Sequence, residues 1–198
     1  MTHDIKLSKS LSYVLRHGAE REGILMRNDG FVAVKDLLQH PRFKRYTLAK
    51  IQEVVDNNDK KRFLLAEENG EWYIRANQGH SLIVEDLELT KINSPDDIPV
   101  VVHGTYLRNW ESIAKKGLLK MNRNHIHFAP GLAGEDGVIS GMRKSAEVFI
   151  YIDAKKAMAD GIEFFRSANG VILTEGQDGV LKTKYFEKVV QRNGAKLV

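Results

Sequence analysis

The sequence predicts an α+β protein of two lobes, and three observations carry that prediction. Apolar residues recur at helical spacing through the first third of the chain, then give way to two short apolar runs around Asn69-Gly70. The stretch 91–99 holds two of the four prolines and two adjacent acids, the composition of a linker. Beyond it, strand-like runs sit between glycine-rich turns, with short helical stretches among them. The expected division is residues 1–92, a linker at 93–99, and residues 100–198.

In the first lobe, Leu7, Leu11, Val14 and Leu15 lie on one helical face, with Gly18 just beyond as a stop. Val34, Leu37 and Leu38 mark a second, short helix. Thr47 suits the cap of a third, with Leu48, Ile51, Val54 and Val55 on one side. Phe63-Leu64-Leu65 and Trp72-Tyr73-Ile74 then read as a hairpin. Three helices followed by a hairpin is the order of a winged helix, a variant of helix-turn-helix. In the second lobe, residues 100–103 form a buried-type run, and residues 106–116 an amphipathic helix stopped by Gly117. Further strands are expected at 125–129, 147–153 and 171–174.

With 198 residues, folding should bury roughly 70% of the surface that the unfolded chain exposes. The absence of cysteine excludes disulfides, cysteine-ligated metals and thiol nucleophiles. No apolar run approaches the roughly 18 residues a membrane span needs, so no membrane partner is expected. The polar opening Met1-Thr2-His3-Asp4 lacks a secretory pattern, and a cytoplasmic or nuclear protein is expected. The 30 basic residues against 26 acidic ones give net +4, spread over both halves, so any nucleic-acid contact must come from a local basic cluster. A monomer is the default expectation.

Several polar groups stand out. Arg16 and His17 close the first helix; cations there complement the macrodipole, and the same pair suits a phosphate clamp. Lys61 and Arg62 lead into the hairpin, where a charge run is usually a solvated face, although Phe63 should anchor Arg62. Arg75 ends the hairpin and precedes Gln78-Gly79-His80-Ser81, an ordinary polar loop or a rim of donors beside a ligand. His103-Gly104-Thr105 leaves an apolar strand. A histidine there is commonly structural, but Gly104 lets a planar group approach the backbone. His125 and His127 share a strand face, and with His103 they could ligate a metal. Without a carboxylate cluster, no metal is expected. Arg143 and Asn169 are the remaining candidates.

Taken in order, these motifs resemble the RNA 2′-phosphotransferase family. The resemblance runs through Leu7-Ser8-Lys9, Leu11-Ser12-Tyr13-Val14-Leu15-Arg16-His17, Lys61-Arg62-Phe63, Ile74-Arg75-Ala76, Gln78-Gly79-His80-Ser81, His103-Gly104-Thr105, Arg123 with His125-Ile126-His127, and Asn169-Gly170-Val171. It implies an N-terminal winged-helix lobe for RNA and a C-terminal ADP-ribosyltransferase-like lobe for NAD, the co-substrate. It implies a two-step transfer of an RNA 2′-phosphate, as at a tRNA splice junction, to NAD. Arg16, His17, Arg62 and Arg123 would serve catalysis. His103, Gly104, Thr105, His127, Arg143 and Asn169 would hold NAD. Arg16, His17, Lys61, Arg62, Arg75, Gln78, His80 and Ser81 would meet the RNA. The catalytic glutamate usual in ADP-ribosyltransferases has no match, and Val171 stands where it would be expected. That fits a nucleophile that is already an anion of about −1.5 to −2 charges and needs orienting rather than deprotonating. Two rivals are a winged-helix regulator with a sensor lobe and an ADP-ribosyltransferase that stops after the first step. The regulator leaves His103-Gly104-Thr105 without a use. The one-step transferase has less need of the arginine set.

Overall fold

The computed structural model describes residues 2–85, 87–135, 138 and 140–198. It is a mixed helix-and-sheet structure with small antiparallel sheets, and it divides into two compact units, Met1–Glu88 and Leu89–Val198.

The first unit opens with helix α1 (Thr2–Tyr13), continued by a π-helical turn over Val14–Gly18. Leu7, Leu11, Val14 and Leu15 are all fully buried, as their spacing predicts. A short strand β1 (Val32–Ala33) leads directly into α2 (Val34–Gln39). Helix α3 (Leu48–Asp56) is capped by Thr47, whose hydroxyl accepts from the Lys50 N–H at 3.2 Å, a contact worth about 1 kcal/mol. Strands β2 (Phe63–Glu68) and β3 (Glu71–Ala76) pair from Phe63↔Ala76 to Glu68↔Glu71. Asn69 and Gly70 both have positive φ (52° and 79°), the two-residue turn whose twist matches that of the strands. Strand β1 adds to β3 to make the sheet order β1-β3-β2, a third strand too short to leave a period in the sequence. Leu7, Leu11, Phe43, Ile51 and Ile74 form one core.

The second unit begins with β4 (Leu89–Ile92), which pairs with a later strand of that unit. The expected boundary after residue 92 therefore differs from the observed division, and 93–99 is packed rather than free. Ile98 is buried, and the Asp97 carbonyl accepts from Arg166 at 2.8 Å. Strand β5 (Val102–Thr105) follows, then α4 (Leu107–Lys116), β6 (Leu118–Leu119), β7 (Ile126–Phe128) and β8 (Val148–Ile152). Helix α5 (Ala154–Ala159), β9 (Phe164–Ser167), β10 (Ile172–Thr174), β11 (Val180–Leu181) and β12 (Phe186–Gln191) complete it. The sheets run β4-β9-β10-β7, β11-β6 and β12-β8-β5. A bridge between Val102 and Ala129 joins β5 to the chain leaving β7.

Alternation along β8 covers both faces of its sheet. Val148, Ile150 and Ile152 join Phe128, Phe164 and Ile172 in the main core, while Phe149 joins Val102, Ala129, Met142 and Ala146 in a smaller one. A side chain as large as Phe164 contributes about 1.5–3 kcal/mol when fully buried. Among the described residues, no helix is long and apolar enough to cross a membrane.

Candidate functional site

In the first unit, Arg16 and His17 lie in the π-helical turn, a helix irregularity found often at functional positions. Carbonyls at a helix end need partners from elsewhere. The Arg16 carbonyl takes the N–H groups of Ser81 at 2.9 Å and Leu82 at 3.2 Å. The segment 78–82 thereby becomes a strap across the helix end. Gly79 adopts φ +88°, and a Cβ there would stand 3.4 Å from both Cζ and Nε of Arg16, so the side of Gly79 that carries no side chain faces the guanidinium. His17 Nδ1 is 2.8 Å from the Ser81 hydroxyl.

Arg62 is held by its backbone. Its N–H donates to Asn58 Oδ1 at 3.1 Å and its carbonyl accepts from the Asn77 N–H at 2.9 Å. Asn77 also donates its side-chain amide to the Lys61 carbonyl at 2.6 Å, which helps hold Lys61 at φ +43°. Desolvation draws the Arg62 pKa below its ordinary value, against a smaller opposing pull from Asp59. An arginine remains charged under such a shift.

The other first-unit candidates are mostly buried. The Arg75 side chain is 5% exposed, donates to Glu88 Oε2 at 2.5 Å and stacks on Phe31 with 4.8 Å to the ring centroid. Its charge is committed within the unit. Gln78 and His80 are buried as well, while Lys61 and Ser81 are exposed.

In the second unit, β5 and β7 bring His103 and His127 together. His103 Nδ1 lies 2.8 Å from the His127 carbonyl, and a carbonyl only accepts, so Nδ1 carries the proton. Burial lowers the His103 pKa, the His127 carbonyl opposes this, and Arg123 adds to the lowering. A neutral ring with Nε2 as acceptor is the result, suited to a hydroxyl donor. Val102 exchanges backbone hydrogen bonds with Ala129 (3.0 and 2.9 Å), while the Ile152 N–H donates to the Val101 carbonyl at 2.9 Å. Ladder parity then directs the N–H and C=O of Gly104 away from β8, on the same edge as those of Val102. That edge leaves Gly104 a backbone donor and acceptor side by side, a pattern that a carboxamide can meet.

The space over Gly104 is already filled. A Cβ there would fall 2.4 Å from Met142 Cγ, 2.9 Å from its sulfur and 3.0 Å from Ala146 Cβ. On that face the glycine makes room for a neighbouring side chain. Thr105 is buried, and its hydroxyl accepts from Asn109 at 3.2 Å. Arg123 precedes β7 on an exposed turn. Packing around its guanidinium, then the Arg143 charge, lowers its pKa. Tyr106 meets Ser145 at 2.9 Å, and bonds to Ser145 and Arg143 lower its phenol pKa. Asn169 is buried in the β9–β10 turn, its Oδ1 accepting from Ser167 at 2.7 Å.

Strand β7 excludes His125, whose ring packs edge-on to Phe165. Val171 is fully buried beside the same β9–β10 turn. Among the described residues, no group of three or more histidine or acidic side chains is arranged to hold a metal. Two contributors escaped the sequence reading as site residues. Gly79 sits inside a quoted motif, and Tyr106 directly follows His103-Gly104-Thr105; adjacency was the available signal for both.

Residues 2–176 match the family described as RNA 2′-phosphotransferase, Tpt1 / KptA family. The chain is similar to tRNA 2′-phosphotransferase 1 of Danio rerio, 53% identical over 192 residues that cover 94% of this chain and 85% of that protein. It is 52% identical to tRNA 2′-phosphotransferase 1 of Homo sapiens over 192 residues, 95% of this chain and 76% of the relative. It is 38% identical to the tRNA 2′-phosphotransferase of Saccharomyces cerevisiae over 205 residues, 98% and 86% of the two chains. The chain belongs to the RNA 2′-phosphotransferase, Tpt1 / KptA family.

Proposed function

We propose that this protein is a transferase that removes the splice-junction 2′-phosphate of tRNA by passing it to NAD. The observation that carries the reading is the similarity to proteins named tRNA 2′-phosphotransferase along nearly the whole chain. In the first step a phosphate oxygen attacks the anomeric carbon of the nicotinamide ribose, and the bond to nicotinamide breaks. In the second, the ribose 2″-hydroxyl attacks phosphorus, and the RNA 2′-oxygen leaves and takes a proton. The products are ADP-ribose 1″,2″-cyclic phosphate and RNA with a free 2′-hydroxyl.

The first unit serves as a winged-helix lobe for RNA, a reading supported by its three helices and hairpin. The second serves as an ADP-ribosyltransferase-like lobe. Arg16, His17, Arg62 and Arg123 act on the phosphate, where charge-assisted forks stabilise the crowded second transition state. His103 accepts from a ribose hydroxyl through Nε2, and the Gly104 backbone takes the carboxamide. His127, Thr105, Arg143 and Asn169 support that end. Arg75, Gln78 and His80 act as supports for the RNA-facing residues rather than as contacts, since all three are buried.

The test incubates the protein with NAD and an oligoribonucleotide bearing an internal 2′-phosphate. Cyclic phosphate and dephosphorylated RNA are expected. Release of nicotinamide with a stable ADP-ribosylated product and no cyclic phosphate would assign the one-step activity instead.

A further inference from the structure

Resting on the proposed reading of His17, we infer that Ser81 is a positioning residue: it holds the His17 imidazole by Nδ1 so that Nε2 is the nitrogen offered to phosphate. Ser81 makes three contacts with the helix end. Its N–H donates to the Arg16 carbonyl at 2.9 Å, its hydroxyl lies 3.5 Å from the same oxygen, and that hydroxyl is 2.8 Å from His17 Nδ1.

A hydroxyl has one proton to give. Donated to the Arg16 carbonyl, that proton leaves the Ser81 oxygen as acceptor for Nδ1–H. This arrangement tolerates the imidazolium, in which both nitrogens donate. The reverse direction, with Ser81 donating into Nδ1, would require that nitrogen to be bare and would exclude the charged ring. A phosphate favours the charged donor, so the serine supports the protonation state that the phosphate needs.

The backbone restricts where the serine can stand. The Leu82 N–H also closes on the Arg16 carbonyl at 3.2 Å, and Gly79 turns its bare Cα side toward the Arg16 guanidinium. The strap therefore orders Arg16 by its main chain, and His17 by its ring. Ser81 is itself exposed, so its replacement leaves no cavity.

The test is a double-mutant cycle on the full chain, with RNA dephosphorylation as one readout and long-range proton–nitrogen NMR of the His17 ring as the other. Ser81→Ala should slow dephosphorylation about 10-fold or more, the usual scale for losing a partner that orients a site residue, and Ser81→Thr should restore most of it. In a His17→Ala background, Ser81→Ala should cost nothing further. By NMR, Ser81→Ala should shift the balance of Nδ1–H and Nε2–H forms. Equal slowing in both backgrounds, or an unchanged ring tautomer, would overturn the inference. Full activity in His17→Ala would instead sink the reading of His17 as a site residue, while the NMR arm still reports on the serine–imidazole bond.

Discussion

Replacing Gly104 by alanine separates a glycine kept for packing from one kept for a ligand. The new Cβ would fall 2.4 Å from Met142 Cγ and 3.0 Å from Ala146 Cβ, inside a small core that also contains Val102, Ala129 and Phe149. Overpacking of this kind costs about 1–3 kcal/mol. Alanine returns about 0.5–1 kcal/mol by restricting the unfolded chain, since glycine is a poor strand residue. A net loss of about 1–2 kcal/mol is expected, lowering the unfolding midpoint by about 2–8 °C at the usual 2–4 °C per kcal/mol for chains of this size. Calorimetry of Gly104→Ala, Met142→Ala and the double variant tests the cause. Met142→Ala alone should cost about 2–5 kcal/mol. The double variant should be less destabilised than the sum by about 1 kcal/mol, because the alanine methyl enters space the methionine vacates. Additive losses, or a Gly104→Ala protein as stable as the parent but weakened for NAD, would refute the packing explanation.

Arg62→Ala and Arg123→Ala should accumulate 2′-phospho-ADP-ribosylated RNA, because losing one charge-stabilising donor typically costs about 10²–10³ in rate where charge builds most. His103→Ala should slow formation of that intermediate instead; rapid-quench sampling with labelled RNA distinguishes them, and equal slowing of both steps in the arginine variants would count against the assignment. Burial holds His103 and His125 below the ordinary histidine pKa, with Glu175 opposing and Lys120 reinforcing the shift at His125. The unfolded chain therefore binds more protons as pH falls below about 6.5, and stability should drop by up to about 1.4 kcal/mol per pH unit for each histidine, until its folded pKa is reached. Urea titrations at pH 7.5 and 5.5 should show the second unit weaker in acid, and the opposite trend would contradict the burial. Gly79→Ala should lose about 1–2 kcal/mol, because φ +88° disfavours a Cβ, and should slow dephosphorylation through the altered strap backbone, since the methyl itself would meet the Arg16 guanidinium at an ordinary 3.4 Å contact. An unchanged midpoint and rate would mean the strap adapts.

Local periodicity and turn chemistry were enough to predict the first unit's main elements. A leucine stripe at helical spacing, a threonine cap and an Asn-Gly turn each act within a few residues, so α1, α3 and the β2–β3 hairpin lie close to where the sequence placed them. The motifs likewise named the candidate residues, because each group's chemistry is a property of the side chain. What the sequence left open depends on partners far along the chain. Strand β1 is two residues long and exists through Ile74 and Tyr73; β4 reads as the end of a lobe until β9 pairs with it. The commitment of Arg75 to Glu88 and Phe31, the filling of the Gly104 face by Met142, and the Ser81 hydroxyl on His17 were decided in tertiary structure. No periodicity encodes which side chain occupies a given volume or which donor meets a given acceptor, since both follow from packing residues that stand 13 to 64 positions apart.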